Sequence, residues 1–382
     1  MAKVLLVDTN FSSAPIYSEL VRLGHETHVV GKNPNDCLAK GCPHYWSVDY
    51  ADTDTLGRLI DAEGFDYLVP GCTDRSYTSC AELARGRFPG IPALDVDQAI
   101  NNKARFRALS QQIGLPVPQA QNPDSGHLRW PLVVKPVDAF SGKGITVLPQ
   151  EDPAALALAI DKARATSATG EALVEDFVAG QLHSHSAFIR RGKVFDDFIV
   201  EESCTANPFV VDTSYVKRDL PADTLATLRK AIESLANALG LGDGLVHTQF
   251  ILSGREVSLI EITRRCPGDL YSQLIELTTG YPYVSNYVRP FLGLEPIQPK
   301  ESTYVPIMRH TVSVAAPQNF GHLHYKRPFH TLRWVPLSLV GDALKPSPAS
   351  RIGILFALAR SAPELAELVE ITLKRELYDV DS

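Results

Sequence analysis

The sequence predicts an α/β protein of two or three domains, and three observations carry that prediction. Its 382 residues are too many for one compact core. Near the N-terminus the apolar runs KVLLVD (3–8) and FDYLVPG (65–71) alternate with helix-like stretches, the pattern of a parallel α/β sheet. From residue 131 the pattern changes to strands joined by tight turns, with helical inserts at about 152–167, 221–239 and 270–292.

Composition narrows the function classes. Apolar residues make up 45% and charged residues 21%, ordinary for a soluble globular protein. The net charge of -7 and the absence of a long basic run argue against nucleic acid or anionic membrane as a partner. No stretch reaches the ~18 apolar residues of a membrane helix. The opening MAKVLLVDTN reads as a first strand rather than a secretory signal, because its apolar run ends at Asp8. Cys37, Cys42, Cys72, Cys80, Cys204 and Cys266 form no CxxC pair and no zinc spacing. Free thiols in a reducing cytoplasm are expected.

The elements follow in order. After the first strand, Ala14 to Leu23 reads as a helix closed by Gly24, and Thr27 to Val30 as a second strand. The turn between them, DTNFSSAP, lacks GxGxxG, so no dinucleotide site is expected. Residues 95–114 read as one helix, capped by Asp95 or Asp97 and ended by Gly114. LPVPQ is extended because of its two prolines, and 121–130 is a linker. Further strands are expected at 304–315 and 329–339, with a final helix near 362–377. The division is 1–95, 96–300 with a lid near 115–180, and 301–382.

Three segments carry chemistry. In PLVVKPVDAFSGKG (131–144), Leu132 and Val134 face one side of a strand, Val133 and Lys135 the other. A Lys on such a strand is costly unless it meets an anion. In the loop that follows, Ser141, Gly142, Lys143 and Gly144 suit closure of backbone N–H groups on phosphate, although no Walker A sequence is present. A hairpin with a basic turn also fits this segment. In LVEDFVAGQLHS (173–184), Glu175 precedes a break at Gly180, and Asp176, Phe177 and Val178 offer backbone groups and apolar faces to a flat base; an ordinary strand-turn-strand fits as well. In HTQFILSGREVSLIEITRRCPGD (247–269), turn length decides the faces. A three-residue turn over Gly254 to Glu256 sets Gln249 opposite Glu261 and His247 opposite Thr263, whereas a two-residue turn sends Gln249 and Glu261 to opposite faces. Glu261 with the neutral oxygens of Gln249 and Thr263 suits Mg²⁺, and the guanidinium of Arg264 or Arg265 suits phosphate or carboxylate; a surface hairpin with a Glu–Arg pair is the plainer reading. Lys103, among Asn101, Asn102, Arg105 and Arg107, reads by itself as part of a solvated helix face. His183 and His185 share a strand face and suit hydrogen bonding better than metal.

In order and spacing these residues resemble the ATP-grasp superfamily of carboxylate–amine ligases over roughly residues 3 to 300. The match runs through Asn102-Lys103, Lys135 in its VKP context, the glycine-rich lid 138–144, the hinge Glu175 to Gly180, and the terminal strand pattern Glu261-x-Thr263-x-Arg265. The segment 351–371 resembles the closing strand and helix of that fold. The resemblance implies an ATP-grasp fold with an N-terminal Rossmann-like domain and a C-terminal α+β part. It implies ATP and Mg²⁺ as cofactors. Lys103 and Lys135 would hold the α- and β-phosphates, and the lid backbone would cover the β- and γ-phosphates. Glu175 would meet the adenine amino group, Asp176 and Val178 would contribute backbone contacts, and His183 would take the ribose place. Lys217 or Arg218 is a further phosphate contact. Glu261 would ligate the metal and Arg265 face the transferred phosphate. Gln249 and Thr263 depart from the family's usual acidic and Asn residues, which bears on the metal count. The implied reaction joins a small-molecule carboxylate to an amine through an acyl phosphate, with Asn10 to Ser13, Thr73 to Tyr77, Arg75 and Arg309-His310 around the acceptor. A homodimer is the assembly to test. The rival readings are bicarbonate activation and a non-catalytic ATP-binding regulator.

Overall fold

The computed structural model describes residues 1–140, 142–298 and 303–381. Its first part consists of β1 (Lys3–Val7), α1 (Ala14–Arg22), β2 (Glu26–Val30), α2 (Cys37–Gly41), β3 (Tyr45–Trp46), α3 (Thr53–Glu63), β4 (Tyr67–Pro70) and α4 (Asp74–Ala84). The four strands pair in parallel in the order β3-β2-β1-β4. Val4 to Val7 are all fully buried, which explains why this strand reads as a continuous apolar run: helices cover both faces of the sheet.

The single helix expected over 95–114 is two, α5 (Leu94–Asn101) and α6 (Lys103–Gln112). Asn102 between them is extended, and its side chain accepts from the amides of Ala104 and Arg105. An Asn that competes for backbone groups makes a better N-cap than an interior residue. The break sets Lys103 at the first position of α6, where its amide donates to the Val137 carbonyl at 2.8 Å.

Next come β5 (Leu132–Pro136), β6 (Thr146–Leu148), α7 (Pro153–Thr166) and β7 (Ala172–Asp176), which make an antiparallel sheet in the order β6-β5-β7. Leu132, Val134, Leu148 and Val174 pack on α7. Alternation therefore turns Val133, Lys135, Val147 and Glu175 to the opposite face.

The rest of the chain holds β8 (Gln181–Arg190), β9 (Lys193–Ser203), β10 (Thr213–Lys217), α8 (Ala222–Leu239), β11 (Gly244–Ser253), β12 (Glu256–Thr263), α9 (Tyr271–Thr279), α10 (Tyr283–Val288), β13 (Ile307–Val312), β14 (Gln318–Asn319), β15 (His322–Tyr325), β16 (His330–Pro336), β17 (Ala343–Leu344), β18 (Gly353–Leu358), α11 (Ala362–Leu373) and β19 (Tyr378–Asp381). Eight of these strands form one antiparallel sheet in the order β12-β11-β8-β9-β10-β13-β18-β16. Its outer face packs on α8 and α11 through residues such as Ala187, Val246, Phe250 and Leu355. Its inner face contributes Phe188, Val200, Val216 and Phe356 to a core shared with α9, α10 and the parallel sheet. The helical insert expected at 270–292 is likewise interrupted, at Gly280, which is left-handed at φ 72°, and Pro282.

The β11–β12 hairpin reaches the pairing anticipated for a three-residue turn by another route. The turn has two residues, because Ser253 pairs with Glu256. A bulge then leaves Ile260 without a partner, so Phe250 pairs with Leu259 but Gln249 pairs with Glu261 and His247 with Thr263. One extra residue on one strand reverses the face of everything beyond it. The bulge has neighbours that use it: the Ile260 carbonyl accepts from Arg107 at 2.8 Å, and the Leu259 amide donates to Pro116 at 2.7 Å.

Candidate nucleotide-binding and catalytic site

A cavity of about 740 Å³ lies between the inner faces of the three-stranded and eight-stranded sheets, closed at one end by the loops after β1 and β4. One end is apolar, lined by Val133, Val147, Phe177, Leu182, Ile251 and Ile260. At its rim the amides of Asp176 and Phe177 are committed to the carbonyls of Gln119 and Pro131. The Val178 amide has no acceptor among the described residues. An apolar slot edged by an available amide suits a flat heteroaromatic base. The Asp176 carboxylate is turned to Gln121 and Arg129, at 2.5 and 3.0 Å.

The middle of the cavity is cationic. Lys135 is buried and bonds Glu175 at 2.5 Å; Arg107 bonds the other Glu175 oxygen at 2.8 Å. Burial, outweighing the pull of Glu175, lowers the Lys135 pKa to about 8. Burial works to raise Glu175, but Lys135 and Arg107 hold it below its ordinary value. Lys103 donates to the Ala139 carbonyl at 2.9 Å and lies 3.4 Å from Glu261. The reading of this helix as a solvated face fits Arg105, which bonds Gln98 in solvent, but not Lys103 or Arg107, which are buried. The cause is the i,i+4 spacing of 103 and 107, which turns both toward Glu175 and Glu261.

Glu261 is about a third exposed, at 32% of its side chain, and so open to a ligand. Burial pushes its pKa up, but Lys103, Lys135 and Arg265 together hold it low. The Gln249 amide donates to Glu202 at 2.8 Å, and Thr263 accepts from the Arg265 amide at 3.2 Å. Arg265 bonds Asp74 of α4 at 2.6 Å, and the acids around it outweigh burial to raise its pKa. Burial together with the Arg265 charge lowers His247 to about 3, so it is a neutral ring.

The structure departs from the sequence expectations at several residues. His183 is on the outer face of β8: it stacks on Phe250 with ring centroids 5.2 Å apart, bonds the Gln181 carbonyl and does not reach the cavity. Strand alternation is the reason, since Leu182 and Ser184 take the inner face. Lys217 shares that outer face and pairs with Glu201 and Asp219, while Arg218 stacks on Tyr304; neither lines the cavity. Lys143 is exposed and outside the lining, and Ser141 lies outside the described residues. Gly142, at φ 70°, passes so close to Phe209 that a side chain there would collide with it, and Gly144 is also left-handed at φ 74°. Glu175 lines the cavity with both oxygens engaged, one by Lys135 and one by Arg107. Arg75 lines the cavity but donates to Ala51, and His310 faces away, bonding Thr213 and Tyr378. Asn10, Ser12 and Arg309 do line it. Sequence reasoning missed the parts of Arg107 and Glu202, and reached Asp74 only as one residue of the segment Thr73 to Tyr77, without its pairing to Arg265. Helical spacing from Lys103 could have found Arg107; Asp74 and Glu202 depend on long-range pairing that no local pattern announces.

Among the described residues no three His, Cys, Asp or Glu side chains form a metal-binding group. Glu261 alone, beside neutral oxygens, suits a hard divalent ion that takes most ligands from phosphate and water.

Residues 128–273 match the model of the ATP-grasp domain family. The chain is 25% identical over 389 aligned positions to a formate-dependent phosphoribosylglycinamide formyltransferase of Methanocaldococcus jannaschii, covering 96% of this chain and 95% of the relative. It superposes on an L-amino acid ligase from Bacillus licheniformis with a TM-score of 0.79 and 19% identity, over 100% of this chain and 98% of the other. It also superposes on the biotin carboxylase domain of Hydrogenobacter thermophilus 2-oxoglutarate carboxylase, solved with MgADP and bicarbonate, with a TM-score of 0.75 and 15% identity over 100% and 90% of the two chains. Residues 128–273 are thus similar to an ATP-grasp domain, and the chain as a whole shares the fold of these solved structures.

Proposed function

We propose that the protein is an ATP-dependent carboxylate–amine ligase working through an acyl phosphate and releasing ADP and phosphate. The observation that carries this reading is the run of one cavity from an apolar slot, past Lys135, Lys103 and Glu261, to a second cationic end at Arg265, Arg309 and Arg351. The first part suits a nucleotide and the last suits a small anion beside its terminal phosphate. The relatives' names point to formate and L-amino acids as carboxylates, so a small organic acid is the substrate class proposed here.

In this reading the base enters the slot beside Phe177 and bonds the Val178 amide. Lys135 and Lys103 neutralise the phosphates, with Glu175 and Arg107 fixing Lys135. The glycine backbone of the lid covers the outer phosphates. Glu261 would ligate Mg²⁺, which supplies charge neutralisation of the phosphates when bound. Arg265, anchored by Asp74, meets the transferring phosphoryl group, and Arg309 holds the acid in line for attack. The amine then displaces phosphate. We assign residues 1–95, 96–300 and 301–382 to the three domains, with the lid near 115–180. Cytoplasmic location and a homodimer remain part of the proposal.

The test is a screen of paired acids and amines for ATP-dependent phosphate release, followed by isotope transfer. A carboxylate labelled with heavy oxygen should pass one label to the released phosphate, and hydroxylamine should trap a hydroxamate. AMP in place of ADP would make the chemistry adenylation. Release with bicarbonate alone would favour a carboxylase, and tight ATP binding without turnover a regulator.

A further inference from the structure

Part of the cavity wall is apolar yet packs in none of the hydrophobic cores. Pro208, Phe209, Val210 and Val211 line the cavity from the loop between β9 and β10. Pro208 and Phe209 are exposed, Val210 and Val211 half-exposed, and none joins a core cluster. The loop is braced by its own polar groups. The Asp212 carboxylate accepts from the Thr205 amide at 2.8 Å, from the Thr205 hydroxyl at 2.7 Å and from the Ala206 amide at 3.1 Å. The Asn207 side chain accepts from the Phe209 amide at 2.9 Å, and the Asn207 carbonyl from the Val210 amide at 3.2 Å. Thr205 and Asn207 thus spend their polar groups on the loop and lie outside the lining, while the apolar residues face the cavity. Apolar surface held toward water in a braced loop gains free energy when a ligand covers it.

Position says which part of a ligand would cover it. The loop leaves β9 after Ser203 and enters β10 at Thr213. Each of these residues adjoins a row formed by Glu202, Ser214 and Arg309, which pair across β9, β10 and β13. At the other end of the loop Phe209 meets Gly142 of the lid. The four residues therefore run from Arg309, the group assigned to the acid, toward the cover of the outer phosphates.

We propose that Pro208 to Val211 seat the side chain of the acid, so that the carboxylate activated here belongs to an acid with a branched aliphatic or aromatic side chain; the proposal rests on the ligase reading above. Phosphate is a poor occupant of this wall, because residues 203–216 contain no Lys or Arg. The base has its own slot beside Phe177 and Val178. Formate and glycine carry no side chain and would leave the wall wet, whereas leucine or phenylalanine would cover it.

The experiment reads acid selectivity with one nucleophile throughout. The full-length protein receives Mg²⁺, ATP, hydroxylamine and a single acid, and kcat/KM is measured for hydroxamate formation. One series is glycine, glutamine, leucine and phenylalanine; the other is formate, acetate and 3-methylbutanoate, which lack an α-amino group. Leucine should exceed glycine, or 3-methylbutanoate exceed formate, by ~100-fold, the scale on which apolar pockets discriminate. Glutamine, as long as leucine but polar, should fall well below it. The double variant Val210→Thr/Val211→Thr keeps the shape of the wall and adds two hydroxyls, so its leucine-to-glycine ratio should drop about 10-fold. The wild-type series decides the matter alone if that variant folds poorly. Formate, glycine or glutamine used as well as the apolar acids, or a ratio unchanged in a folded double variant, would overturn the proposal while leaving the ligase reading intact. Hydroxamate from none of the acids would overturn the ligase reading, and this inference with it.

Discussion

Glu175 carries two buried cations at once, and the consequences differ for each partner. Glu175→Gln leaves Lys135 and Arg107 buried together without a counter-ion. Arg107→Met leaves one balanced pair, although it also removes the bond to the Ile260 carbonyl. We expect Glu175→Gln to cost about 3–5 kcal/mol, and Arg107→Met less; equal midpoints in denaturant titrations would contradict this. Lys135 gives a second prediction. Lys135→Ala should weaken ATP binding by ~1.5–3 kcal/mol, whereas Lys143→Ala, on an exposed residue outside the lining, should weaken it less. The sign with pH follows from the lowered pKa of about 8. A Lys depressed in the fold favours the neutral form there, so its contribution to stability grows as pH rises from about 8 toward the ordinary Lys value. Nucleotide binding needs the charged form and runs the other way, weakening over the same range. Calorimetry in buffers of different ionisation heat should register proton uptake on binding near pH ~8 in wild type and less in Lys135→Ala.

At the scale of elements, the lid is anchored at its base and open at its tip. Asp138 accepts from the amides of Ala168 and Thr169 at 3.2 and 3.0 Å, while Lys143 is exposed. Limited proteolysis should therefore cut at Lys143 in the free protein and be suppressed by Mg²⁺ with ATP; cutting at the same rate in both states would exclude closure of this loop over phosphate. The elements also show what the sequence could reveal. The Lys135 strand was legible because alternation and Pro136 fix its face locally. The Gln249–Glu261 pairing was legible only in outcome: a two-residue turn and the bulge at Ile260 replace the three-residue turn, and nothing near Ile260 marks it as bulged. What fixes the bulge is Arg107 and Pro116, more than 140 residues away in sequence. His183 was misplaced for the complementary reason. Its strand alternates as expected, but which face meets the cavity is decided by α8 packing on the other side.

At the scale of the molecule, the parallel sheet is joined to the catalytic face by a few polar ties. Arg265 bonds Asp74, the Asp269 amide donates to Ser12 at 3.0 Å, and the Tyr287 hydroxyl donates to the Pro70 carbonyl at 3.1 Å. Asp74→Ala should release Arg265 from its working position, so turnover should fall by more than tenfold while ATP affinity changes little; steady-state kinetics beside nucleotide binding checks this, and an equal loss in both would point to a folding defect. The Asp269 turn, left-handed at both Asp269 and Leu270, carries one of these ties and two bonds from the C-terminal part of the chain. Its amide reaches back to residue 12, its carbonyl accepts from Arg309, and its carboxylate takes Arg351. During synthesis, then, a chain released only as far as residue 300 already holds every residue assigned to phosphate, yet lacks both arginines that clamp this turn. It also lacks β13, which leaves the β10 edge of the large sheet with unpaired backbone groups. A nascent or truncated chain of that length is a nucleotide cradle without an acid site and with a sticky flank, a state in which self-association competes with completion of the fold.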